Sequence, residues 1–205
     1  MNDTEAREYF KGFQEKYGRS EAALVMLFKD KENYNSDMLF ARVALLDRVY
    51  STRLRNDEND DVVHIEKMVN YLYESRERLK EIFSCSNSDP YEAVKAVMGV
   101  SYDEKGIKRF NNVYSFATKY CSFMNPDKYP IYDSHVKEAI KKLLPDSKSI
   151  EVYANSLDEL NKQEGYHNLC KAIIEIKENV FSENSWSTRD IDKILWMSQK
   201  HPIRA

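Results

Sequence analysis

Apolar residues recur at three- and four-residue intervals through nearly the whole chain, and no run of five or more residues alternates in the strand fashion. That period is helical. Leu39, Val43, Leu46 and Tyr50 fall on one stripe of a segment from 36 to 54, with Asp47 and Arg48 off it. Ile65, Met68, Val69, Leu72, Leu79, Ile82 and Phe83 repeat the pattern from 61 to 83. So do Val94, Val97 and Met98, then Val136, Ala139, Ile140 and Leu143, then Leu169, Ile173, Ile176 and Val180. A short last helix is expected after Ser187-Thr188-Arg189-Asp190, which resembles a capping box with Asp at its third helical position. The expectation is an all-α protein of about ten helices.

At 205 residues the chain can bury a core without disulfides or metals, and it suits one domain, 1–205, or two lobes that share a core. The acidic linker RNDENDD (55–61) and SCSNSDP (84–90) are the most loop-like stretches. They suggest lobes made of 1–55 with 149–205 and of a central block, 60–148. Cys85, Cys121 and Cys170 form no CxxC pair and read as reduced thiols, so a cytoplasmic protein is expected. No apolar run approaches the ~20 residues of a membrane span, and the polar start MNDTEAREYF is not a signal peptide.

Scarce glycine excludes several functions. The five glycines (Gly12, Gly18, Gly99, Gly106 and Gly165) are all far apart, so neither a GxGxxG turn nor a P-loop can form. His64, His135, His167 and His201 show neither HExxH nor Cys/His ligand spacing, and no metal or other cofactor is expected. There is no GxSxG elbow.

Charge is concentrated in one block. Between Lys105 and Lys148 nine bases face four acids, a local +5 in a chain whose net charge is −3. Such a patch suits a polyanion, and it equally suits a solvated helix face. Within it, a helix from about 107 to 124 places Lys108, Asn112, Ser115, Lys119 and Ser122 in one line flanked by Phe116 and Phe123. That line can track a phosphate backbone beside a stacked base, or be the wet side of an amphipathic helix. The segment LLDRVYSTRL (45–54) reads likewise as a polar groove contact or as a buried ion pair at a helix end.

The sharpest feature is NPDKYPIYDSHVKEAI, 125–140. Asn125-Pro126 ends one helix, because the residue before proline is pushed out of helical geometry. Pro130 fixes an extended approach, and Asp133 or Ser134 opens the next helix. Asp133 is then an N-cap, a role worth about 0.5–2 kcal/mol, or a carboxylate delivered for chemistry.

The longer stretch FATKYCSFMNPDKYPIYDSHVKEAI resembles the second half of the active-site module of the HhH-GPD DNA glycosylase superfamily, in particular its 8-oxoguanine glycosylase-like branch. Pro130-Ile131 and Asp133-Ser134-His135-Val136 match that family's Pro-aliphatic-Asp-x-His-(Val/Ile) pattern. The resemblance covers about 25 residues. It implies a two-lobed helical fold with a cleft, DNA as partner, a role in DNA repair, and Asp133 as the catalytic carboxylate of a hydrolase. Tyr132 is one residue more than the pattern has, the family's glycine-rich hairpin is absent, and the position of its nucleophilic lysine falls near Val113-Tyr114-Ser115. Lys119 is therefore a second catalytic candidate from mid-helix only.

Cleaving an N-glycosidic bond builds positive charge on the sugar, which a fixed carboxylate stabilises, while a lysine amine can attack the sugar carbon. The base must be extruded and held against aromatic rings. The candidates are Asp133 and Lys119 for chemistry, and Lys108, Asn112, Ser115, Lys128, His135 and Lys137 for nucleic-acid contact. Phe116, Phe123, Tyr132 and Trp196 are the candidates for the base pocket. The alternative is a non-catalytic helical scaffold, with nucleic acid or another protein as partner and Asp133 only a cap.

Overall fold

A computed structural model describes residues 1–52, 54, 61–99, 111–144, 159–181 and 186–202. These residues are all-helical, with nine α-helices: α1 (Asp3–Leu27), α2 (Ser36–Tyr50), α3 (Asp61–Glu74), α4 (Arg76–Ser84), α5 (Pro90–Met98), α6 (Asn111–Met124), α7 (Ser134–Leu143), α8 (Glu159–Asn179) and α9 (Thr188–Lys200). The 61–83 periodicity is two helices rather than one, bent at Ser75, whose N–H still donates to Tyr71 O at 2.9 Å. The Arg76 guanidinium donates to Tyr73 O at 2.8 Å and takes up a carbonyl at the bend. Among the described residues, no helix is long and apolar enough to cross a membrane.

The chain divides into two compact units, Met1–Arg19 with Pro126–Ala205, and Ser20–Asn125. These bounds differ from the linker-based ones, because the first division falls inside α1, where no change of composition marks it.

In the Ser20–Asn125 unit, α2 packs on α3 and α6, and α5 packs on α4 and α6. Helix ends are closed by side chains that the sequence makes legible. Asn35 caps α2 by accepting from the Met38 N–H at 2.7 Å, and Asp89 caps α5 ahead of Pro90 by accepting from Tyr91 N–H at 2.9 Å. The C-terminus of α5 runs into Gly99 at φ 60°, where a Cβ would lie 2.7 Å from the Tyr71 ring. Tyr71 in turn donates its hydroxyl to Ala96 O at 2.6 Å. After α2, Ser51 is left-handed (φ 47°), and the buried Asp47 carboxylate accepts from Thr52 Oγ1 and from Leu54 N–H. LLDRVYSTRL thus ends α2 with a carboxylate that holds backbone; its Arg53 lies outside the described residues.

The turn after α1 is organised by Arg42, which has 0% of its surface exposed. Its guanidinium donates to Leu27 O at 3.0 Å, Asn33 O at 2.9 Å and Asp30 O, and lies against the rings of Phe28 and Tyr34. A planar fork of donors matches three carbonyls that no helix satisfies.

In the other unit, α7 packs on α9, and α8 packs on both. Ser187 and Asp190 form the expected capping box at the start of α9. The α1–α9 seam alternates rings and cations. Lys193 Nζ lies 5.7 Å from the centroids of Phe10 and Phe13, and Lys200 Nζ lies over Tyr17. Gly12 admits the close approach, since a Cβ there would stand 3.3 Å from Met197 Cε.

Replacing Arg42 by Met is expected to lower unfolding free energy by about 3 kcal/mol, since several buried carbonyls lose their donors together. Denaturant unfolding reads this directly, and a loss under about 1 kcal/mol would show that the turn does not depend on the guanidinium. Burial also pushes the Tyr120 phenol up to about 12, against the opposing pull of Arg42, and pushes Tyr34 further up. Both phenols are raised in the folded state, so their contribution is complete below pH 10 and is lost as pH rises through about 12. Unfolding midpoints should fall across that window, and less steeply in Tyr34→Phe and Tyr120→Phe.

Candidate functional site

The segment 126–133 belongs to no helix, so its backbone groups must find partners elsewhere. Three side chains from α8 and α9 supply them. Ile131 N–H donates to Asp192 Oδ2 at 2.8 Å, Tyr166 OH donates to Pro130 O at 3.1 Å, and Thr188 Oγ1 donates to Asp127 O at 3.0 Å. Tyr129 and Ile131 are buried beneath the segment. The two prolines restrict the chain, and these three bonds set where it runs.

Asp133 therefore arrives in extended geometry (φ −146°, ψ 145°) as the N-cap of α7. Its Oδ1 accepts from the His135 N–H at 2.9 Å, and its carbonyl accepts the first helical bond, from Lys137 N–H. The residue is half-buried. Tyr132 beside it is half-buried too, and its phenol is pushed above its ordinary value by burial first and by the Asp133 charge second.

The His135 ring stands edge-on to Trp196, with centroids 6.1 Å apart. Trp196 also meets Tyr17 at 5.2 Å, Phe13 at 6.2 Å and His201 at 6.5 Å, and carries the Lys200 ammonium 4.2 Å from its centroid. Tyr17 Oη and His201 Nε2 lie 3.4 Å apart. His201 is pulled below its ordinary value by burial and then by the charges of Lys16 and Lys200. Asp133, His135 and Trp196, nominated separately from sequence, thus form one continuous cluster, with Tyr132 adjoining.

The α6 residues belong to the other unit and are arranged differently. Lys119 is 2% exposed; its Nζ donates to Ser115 Oγ at 2.6 Å and lies over the Tyr50 ring, whose hydroxyl donates to Glu21 Oε2 at 2.8 Å. Phe116 is buried against Tyr120, and Phe123 packs on Phe28 and Tyr50. Ser122 is fully buried. Between Val113 and Met124 this helix has no wet face of the kind its polar line predicted, because the line runs inward to a polar cluster. Lys108 and the Asn112 side chain lie outside the described residues. Lys128 is half-buried with its ammonium over Tyr129, and Lys137 is half-buried on α7.

Asp192, Tyr166 and Thr188 escaped the sequence reading. Asp192 did leave a signal, since it shares the buried face of α9 with Thr188, Ile191 and Leu195. A carboxylate on such a stripe needs a donor. Among the described residues, no cluster of His, Cys, Asp and Glu could hold a metal ion.

A family model, HI_0787_N, described as an N-terminal domain, matches residues 4–128. An uncharacterized protein of Haemophilus influenzae is 33% identical over 89 residues, which is 42% of this chain and 37% of that protein. The chain therefore spans little more than a third of that relative's length. No solved structure matches. The family match stops short of Asp133 and Trp196.

Asp133→Ala removes the α7 cap and should cost about 1 kcal/mol, whereas Asp133→Asn should cost a few tenths at most. Thermal or denaturant unfolding of the two variants separates them. Equal losses would mean that the carboxylate's charge, rather than its cap oxygen, stabilises the fold.

Proposed function

The chain belongs to the HI_0787_N family, and we propose that it is a divergent DNA glycosylase-like protein that binds nucleic acid and cleaves the N-glycosidic bond of a damaged base. What carries the reading is one observation: Asp133 is a half-exposed carboxylate at a helix start, delivered by an extended segment that side chains of α8 and α9 hold in place. A pre-positioned carboxylate stabilises the cationic sugar as the base departs with the bonding electrons. A water molecule then adds to the sugar carbon and loses a proton, which leaves an abasic site. Lys128, His135 and Lys137 lie within the same unit and supply phosphate contacts. Release by water, without a lysine adduct, agrees with the lack of a lysine at the superfamily's nucleophile position. Three free thiols fit a protein of the reducing cytoplasm.

A second reading has its own observation. Asp133 Oδ1 accepts the His135 N–H, as a purely structural cap would. On that reading the fold is a helical scaffold for nucleic acid or for a protein partner.

The two readings part in one assay. Wild type and Asp133→Asn are incubated with duplexes carrying single damaged bases, and abasic product is measured. The glycosylase reading expects Asp133→Asn to stay folded and to bind DNA while base release falls by orders of magnitude, because a neutral amide cannot replace the charge. Equal release by both proteins would leave Asp133 a cap and nothing more. Lys128→Gln with Lys137→Gln should weaken binding and flatten its salt dependence.

A further inference from the structure

Trp196 is half-exposed, and its edges are held from three directions: by Phe13 and Tyr17 of α1, His135 of α7, and His201 just past α9. Those neighbours fix the plane of the indole. The face is covered differently, by the ammonium of Lys200, an exposed residue at the last position of α9. An exposed lysine reaching one turn back over a ring is a weakly held cover. Around it the rim is cationic, with Lys16 and Lys200 both acting on His201.

A fixed ring, a displaceable ammonium and a positive rim are the parts of a single-strand binding site. Bases stack on an aromatic face while lysines follow the phosphates. The rim argues against an organic cation as the ligand, because Lys16 and Lys200 would repel it and attract a phosphate.

We propose that Trp196 is a stacking platform for an unpaired nucleobase, and that Lys200 covers it until a strand arrives. The ammonium then moves to a backbone phosphate and the base takes its place on the indole. This inference rests on the nucleic-acid reading above and deepens it, since it makes the ligand an unpaired or extruded base rather than intact duplex. His135, whose N–H donates to Asp133, links the platform to the start of α7.

The test uses the full chain with Trp186→Phe, so that Trp196 is the single remaining indole. Its emission is titrated with a short DNA single strand and with blunt duplex, and anisotropy of a labelled strand reports binding separately. The platform expects saturable quenching by the single strand and markedly less by duplex. Trp196→Leu should lose roughly tenfold or more in single-strand affinity. Lys200→Ala, which leaves the packed edges alone, should reduce the salt slope of single-strand binding by about 0.7. Circular dichroism of each variant checks folding, and Lys200→Ala carries the test should Trp196→Leu unfold. Strand binding with unchanged indole emission, or unchanged by Lys200→Ala, would overturn the platform. Quenching by tetramethylammonium but not by DNA would overturn it in favour of a cation cage. Base release without dependence on Trp196 would sink the platform and spare the glycosylase reading. No binding of any nucleic acid at low salt would sink both.

Discussion

A backbone amide with no helix to bond within, the N–H of Ile131, meets the buried carboxylate of Asp192 at 2.8 Å. The candidate site depends on that contact. The segment before α7 has neither helical nor sheet hydrogen bonds, and leaving its buried groups unpaired would cost about 1–3 kcal/mol each. Asp192, Tyr166 and Thr188 satisfy them from the side, so the chain enters α7 along one path. Asp133 inherits its position from that path. Local stiffness from Pro126 and Pro130 narrows the choices, but prolines alone do not choose among them.

The Ser20–Asn125 unit solves the same problem with the opposite charge. Arg42 is buried on α2 and donates to three carbonyls of the turn after α1, while Phe28 and Tyr34 supply its ring contacts. In each unit a charged side chain lies inside, and its partner is irregular backbone. Asp47 repeats the device on a smaller scale after α2, where it holds Thr52 and Leu54 past the left-handed Ser51. An all-helical protein still has to hold its connections, and here helices do so with polar groups on their buried faces.

This habit explains the one systematic misreading. A polar residue in line with other polar residues on a helix reads as wet, because most exposed faces look that way. On α6 the line runs inward: Lys119, Ser115, Tyr50 and Glu21 form a buried polar cluster, and Phe116 and Phe123 are core side chains. The inward course follows from neighbours that come from distant parts of the chain, α1 and α2. Periodicity within one helix carries no information about which face meets them.

Fold class, the α6 stop at Asn125-Pro126, the Ser187–Asp190 capping box and Asp133 at the start of α7 were all determined by the sequence itself. Each depends on residues within a few positions, where propensity, proline sterics and capping act. The bend at Ser75, the unit boundary inside α1 and the cluster joining Asp133 to Trp196 through His135 were decided by tertiary structure. Those features need groups separated by tens of residues to meet, as Ile131 meets Asp192, and the free energy that selects them comes from satisfying buried polar groups rather than from any local preference.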